Sequence, residues 1–144
     1  MKTLQQVLND KKHKGIISIS PDKTVFDALV LLAEHNIGAL AVMHNDKLVG
    51  VFSERDYARE LALKGRSSKT TLIRDIMTTS LIIARPNDLL DSAMNTMSDK
   101  RIRHLPVLEG EVMVGMLSVG DLVKETISYQ ASLIQQLESY ITGG

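Results

Sequence analysis

The chain contains no cysteine and no tryptophan. Without thiols, it can form no disulfide, thiolate zinc site, cysteine nucleophile or iron–sulfur centre. Its four histidines, His13, His35, His44 and His104, show no paired metal spacing of the HExxH kind, so no metal or redox cofactor is expected. Only 3% of residues are aromatic, which leaves few rings on which unpaired bases could stack. An excess of either charge is also missing, since seventeen Lys and Arg balance seventeen Asp and Glu. With no global field to gather a polyanion, nucleic acid is an unexpected partner. The longest apolar runs, such as residues 37–43, fall far short of the roughly 18 residues a membrane span needs. No basic start followed by an apolar segment marks an export signal, so the expected location is cytoplasmic, away from membranes. Neither GxxxxGK[ST] nor GxGxxG occurs; a nucleotide held here would be held another way.

What is present is a globular composition, 44% hydrophobic and 24% charged over 144 residues, enough to bury about two-thirds of the unfolded surface. The chain also repeats itself. A shift of 65 positions superposes Pro21 on Pro86, Ala28 on Ala93, Ile37 on Ile102, Leu40 on Leu105, Val42 on Val107, Gly50 on Gly115, Ser53 on Ser118 and Asp56 on Asp121. Ten of the forty-two positions from Ile17 to Ala58 are identical without a gap. Two copies of one supersecondary unit account for this.

Each copy reads alike. Residues 16–20 and 81–84 are short β-branched runs stopped at Pro21 and Pro86, where proline fixes φ and removes a donor. Helical spacing follows in both. The first helix, over 25–34, is apolar almost all round and is expected to be the more deeply covered; Leu90, Ala93, Met94 and Met97 keep a cleaner stripe. Runs 39–43 and 48–52 around His44-Asn45-Asp46-Lys47 predict a hairpin, repeated by 104–108 and 112–117 around Glu109-Gly110-Glu111. Pro106 places its strand at an edge. Met94, Met97, Met113 and Met116 are expected to fill core. A second helix follows each hairpin through Ser53-Glu54-Arg55-Asp56 and Ser118-Val119-Gly120-Asp121.

Each unit is therefore β-α-β-β-α, an α+β fold whose three short strands cannot cover both sheet and helices alone, so the copies should pack sheet to sheet with pseudo-two-fold symmetry. The units divide as 1–69 and 70–144, joined by the polar segment 64–71. Leu72, Ile73, Ile76 and Met77 after that segment form a short amphipathic turn, and Leu4, Val7 and Leu8 at the start share its spacing. They read as matching lead-ins, each to the unit that follows it. The pattern Val123, Ile127, Ala131, Ile134, Leu137, Ile141 extends the last helix beyond the needs of the unit, leaving an apolar stripe for a second copy to cover.

Together, Ser20-Pro21-Asp22-Lys23-Thr24-Val25-Phe26-Asp27-Ala28, Leu48-Val49-Gly50-Val51-Phe52-Ser53-Glu54-Arg55-Asp56, Ile73-Arg74-Asp75-Ile76-Met77-Thr78, Arg103-His104-Leu105-Pro106-Val107 and Val114-Gly115-Met116-Leu117-Ser118-Val119-Gly120-Asp121 resemble a tandem pair of CBS domains, the Bateman module. The resemblance covers nearly the whole chain and is closest to stand-alone paired-CBS proteins of bacteria and plants. It implies a non-catalytic homodimer that binds AMP, ATP or NAD(H) in clefts between the units and reports occupancy to an unknown protein target. Leu89, where the family often has the Thr or Ser that Thr24 supplies, departs from the pattern and leaves one helix cap in doubt.

Ser53 with Asp56 and Ser118 with Asp121 fit the capping box [ST]-x-x-[DE], which needs no ligand. Their recurrence after the same hairpin also suits a nucleotide site, where an Asp carboxylate accepts both ribose hydroxyls. The resemblance places adenine between the first strand (Ile17 and Ser18, or Ile82 and Ile83) and the hairpin start (Ile37, Gly38, Ala39 and Leu40, or Arg103, His104 and Pro106). Ile17, Ile37 and Leu40 are equally explained as plain core. Arg55, Lys64, Arg66, Arg101, Arg103 and His104 are candidate phosphate contacts, with solvated basic surface as the competing account, and Gly120 lies within the second motif. Because Glu54-Arg55 becomes Val119-Gly120 and Gly38-Ala39 becomes Arg103-His104, the two clefts need not be equivalent. The alternatives are an adaptor for proteins or a polyanion-binding module, the latter suggested by the basic runs 64–74 and 100–103.

Overall fold

The computed structural model describes residues 2–11 and 15–143; His13 lies outside them. The elements, in order, are helix α1 (Leu4–Asp10), strand β1 (Ser18–Ile19), helix α2 (Val25–His35), strands β2 (Ala39–His44) and β3 (Lys47–Ser53), and helix α3 (Glu54–Asp56), which continues as a π-helix over Tyr57–Ala62. A 3-10 turn over Ile73–Asp75 precedes α4 (Leu90–Lys100), strands β4 (His104–Glu109) and β5 (Val112–Ser118), and the 24-residue helix α5 (Val119–Thr142).

The 65-residue repeat is preserved in register. Ala39 pairs with Ser53 and His104 with Ser118, and both hairpins shift register at the same point, after Val42 and after Val107. β1 runs parallel to β2 with Ile19 opposite Val42, and Ala84 bridges Val107 in the same sense. The helices bury equivalent positions too: Val25, Ala28 and Leu32 in α2, and Leu90, Ala93 and Met97 in α4.

The structure corrects four sequence expectations. Residues 81–84 form an isolated bridge instead of a strand. In the first copy the Ala41 N–H donates to the Ile17 carbonyl, 3.3 Å away; the equivalent residue is Pro106, which has no N–H to offer Ile82, so the parallel ladder stops at Ala84. Second, α2 is not the more deeply covered helix. Phe26 and Val30 are 42% and 39% exposed, a second apolar face that one chain leaves without a partner; Lys69 Nζ lies 5.3 Å from the Phe26 ring centroid. Third, Met97 and Met113 are core, but Met116 lines a cleft.

The fourth correction concerns the lead-ins, which are exchanged. α1 joins the second core, where Leu4 and Val7 pack with Leu90, Leu105, Leu117 and Leu122. Ile73 and Ile76 join the first, with Val25, Leu40, Phe52 and Leu61. Backbone bonds seal each crossing: Leu4 N–H to Asp88 O and Leu90 N–H to Lys2 O in one, Val25 N–H to Thr71 O and Ile73 N–H to Lys23 O in the other, all 2.9–3.0 Å. The lead-ins fit because each strand after the hairpin turn offers a glycine. A Cβ on Gly50 would lie 2.6 Å from Met77 Sδ, and one on Gly115 2.5 Å from Leu8 Cδ2. Each segment therefore completes the hydrophobic core of the opposite unit, and its end is carried to the seam.

Candidate functional site

Two clefts open along that seam. The first, about 580 Å³, is lined by Ile16, Ile17, Ile37, Gly38 and Ala39 of the first unit and by His104, Met116, Ser118 and Asp121 of the second, with Lys11 arriving on the lead-in. The second, about 990 Å³, inverts the roles: Ile82, Arg101, Ile102, Arg103, His104 and Pro106 come from the second unit, and Ser53, Arg55, Asp56 and Thr78 from the first half and its crossing segment. Each cleft thus joins the hairpin start of one unit to the Ser–Asp motif of the other. Gly38 and His104 line both.

The motifs fold as capping boxes. Asp56 N–H donates to Ser53 Oγ at 3.2 Å and Ser53 N–H to Asp56 Oδ2 at 2.9 Å; the second copy repeats this at 3.1 and 2.8 Å. In both copies the box occupies Oδ2. Asp56 Oδ1 accepts the Thr78 hydroxyl at 3.1 Å. In the first cleft Lys11 Nζ lies 3.1 Å from Asp121 Oδ2 and donates to Met116 O at 2.8 Å. Burial alone pushes the Asp121 carboxyl up, but the Ser118 N–H and the Lys11 ammonium together outweigh it and hold the group below the usual carboxylate range. Burial pushes His104 below the ordinary imidazole value against the pull of Asp121 and Glu54. The Leu89 cap is absent as the sequence warned: Leu89 caps α4 without a side-chain hydrogen bond, whereas Thr24 and Asp27 form a full box on α2.

Of the residues singled out in the sequence, Ile17, Ile37, Gly38, Ala39, His104, Ser118 and Asp121 meet in the first cleft, and Ser53, Arg55, Asp56, Arg101, Arg103 and Pro106 in the second. Ser18, Leu40, Ile83, Gly120, Lys64 and Arg66 line neither. Leu40 is fully buried core and Ser18 points to the exposed side of β1. Lys64 and Arg66 are exposed beyond the π-helix, where Lys64 Nζ pairs with Glu60 at 2.7 Å. Sequence reasoning missed Lys11, Thr78 and Arg59 as cleft residues, and met Lys100 only within the basic run 100–103. The first two sit at the ends of the exchanged lead-ins, so only knowledge of the crossing would have found them. No group of three or more His, Asp or Glu is placed to hold a metal among the described residues.

The CBS-domain family model matches residues 11–63 and 73–128, the same two units, so the chain belongs to the CBS-domain family as a tandem pair. It is 42% identical over 128 residues to the mitochondrial CBS domain-containing protein CBSX3 of Arabidopsis thaliana, covering 85% of this chain and 62% of that protein. It spans less than two-thirds of that relative. A solved protein with CBS domains from Burkholderia ambifaria superposes with a TM-score of 0.85 at 41% identity, covering 88% of this chain and 95% of the other. The CBS domain pair of protein MJ0100, solved with 5′-methylthioadenosine and S-adenosyl-L-methionine, superposes at 0.78 and 25% identity, covering 89% of this chain and 98% of the other. A CBS pair is a regulatory module. No helix among the described residues is long and apolar enough to cross a membrane.

Proposed function

We propose that this CBS pair is a sensor that binds adenine nucleotides in both clefts and performs no catalysis. The observation that carries the reading is the crossing of functions at the seam: an apolar slot from one unit shares a cleft with the Ser–Asp motif of the other, twice. Ile17 and Ile37, or Ile82 and Ile102, with backbone groups of the hairpin start, would receive adenine. Asp121 and Asp56 would accept ribose hydroxyls through the oxygen their capping boxes do not use, Asp56 beside the Thr78 hydroxyl already bound there. The adenosine ligands of the MJ0100 pair support this class of ligand. AMP, ATP and NAD(H) all carry the required adenosine.

A ligand touching both units orders the seam and biases any two arrangements of the units for which its affinity differs; only that difference can be passed to a partner. The assembly we propose is a homodimer. Ile127, Ile134, Leu137 and Ile141 on α5 are 53–82% exposed; the three isoleucines recur every seven residues and Leu137 lies beside them on the same face, an apolar stripe that a second copy of the helix would cover. An adaptor that binds no nucleotide is the competing reading. Thermal melts decide between them: a bound nucleotide at a hundredfold excess over Kd adds about 2.7 kcal/mol, a rise of several degrees at this size. No shift with AMP, ADP, ATP, NAD⁺, NADH or S-adenosylmethionine would favour the adaptor.

A further inference from the structure

We propose that the two clefts are not interchangeable: the second takes an adenine nucleotide with a di- or triphosphate chain, and the first an adenosine ligand with at most one phosphate. This rests on the adenine reading above and assigns a ligand class to each of its sites.

The argument is the distribution of cations over two copies of one design. Arg55, Arg59, Lys100, Arg101 and Arg103 line the second cleft with only Glu54 and Asp56 as acids. Among the described residues, the first is lined by one such cation, Lys11, and its charge is engaged by Asp121 and the Met116 carbonyl. The repeat makes the comparison position by position. Lys100, Arg101, Arg103 and Arg55 correspond to His35, Asn36, Gly38 and Gly120. At each of the four, the permanent cation is on the side of the second cleft.

None of those five cations forms an ion pair among the described residues. Five cations against two carboxylates leave the lining with a positive surplus, a local field suited to a polyanion. Backbone conformation supports this independently. Arg101 caps α4 in the left-handed region at φ +54°, as Asn36 caps α2 at φ +51°. Asn is a favoured non-glycine residue there and Arg is not, so the second copy holds its guanidinium at a conformational cost that the first avoids. Arg55 Nη1 donates to the Arg101 carbonyl at 3.3 Å, which holds the two guanidinium-bearing segments together at the cleft mouth. The second cleft is also the larger, about 990 against 580 Å³.

The test is isothermal titration of the full chain with ATP, ADP, AMP, adenosine and tripolyphosphate, in wild type and in R101N/R103G. That variant installs the residues of the first copy, and Asn suits the left-handed cap. We expect ATP and tripolyphosphate to lose at least about tenfold in affinity, since each lost hydrogen bond to a charged group weakens binding by about that factor. Adenosine should change by less than about twofold, and D56A should remove the ATP site where D121A does not. An unchanged ratio of ATP to AMP affinity in R101N/R103G, or loss of ATP through D121A alone, overturns the division while leaving the adenine reading intact. If no adenosine compound binds wild type, the adenine reading itself fails.

Discussion

Asp56 and Asp121 each close a capping box through Oδ2 while lining a cleft, so one carboxylate is available to both a helix cap and the proposed ribose contact. This is why a local reading of the sequence could not separate the structural role from the binding role. Leu40 shows the opposite outcome, since it was a candidate contact and is plain core. His104 is the residue whose chemistry the sequence least revealed, because only the packing of Gly38 against its ring, and of both clefts around it, buries it. Its environment includes Asp121 and Glu54, which favour the charged ring, and Lys11 and Arg103, which oppose it. Burial wins, so the folded value lies below 6.5. Between the two values the unfolded chain binds a proton that the native chain does not, and stability falls as pH drops below about 6.5. Asp121, also depressed, adds a loss of the same sign at lower pH. H104A, which installs the residue of the first copy, should flatten the pH dependence of Tm between about 7 and 5.5; identical slopes in variant and wild type would show that His104 is not the source.

At the scale of elements, the hairpins and the helices that follow them were legible because they rest on local rules that recur twice, whereas the shared register shift after Val42 and Val107 was not read from the sequence. Nor was the crossing of the lead-ins. Their apolar spacing is visible, but which core they complete depends on the glycine sockets of β3 and β5, a long-range fit that no local pattern encodes. The missing first strand of the second unit was readable in principle, since Pro106 removes the donor that Ala41 supplies. The sockets differ in rigidity. At Gly50 a new Cβ meets Met77 and also the Thr78 carbonyl, 3.1 Å away, and that carbonyl is tied to Val51 by a 3.0 Å hydrogen bond. At Gly115 it meets the Leu8 side chain. G50A should therefore cost roughly 1–3 kcal/mol by overpacking, and G115A less. Chemical denaturation with G115A the more damaging of the two would contradict this ranking.

For the molecule as a whole, the duplication explains how a chain of this size builds two clefts: neither unit alone contains both the slot and the carboxylate of one site. The same economy leaves apolar surface uncovered on α5. The dimer reading predicts that I134E/L137E is monomeric in sedimentation while its far-UV circular dichroism still shows a folded chain, whereas wild type is dimeric; a monomeric wild type at micromolar concentration, or a dimeric variant, would refute a dimer built on that stripe. The central claim is that each site is assembled across the seam around one of the two aspartates. The measurement that tests it most directly is the total binding stoichiometry of ATP and AMP, titrated one after the other by calorimetry, in wild type, D56A, D121A and the double variant. The account predicts two sites per chain, then one in each single variant and none in the double; full stoichiometry retained in the double variant would contradict it.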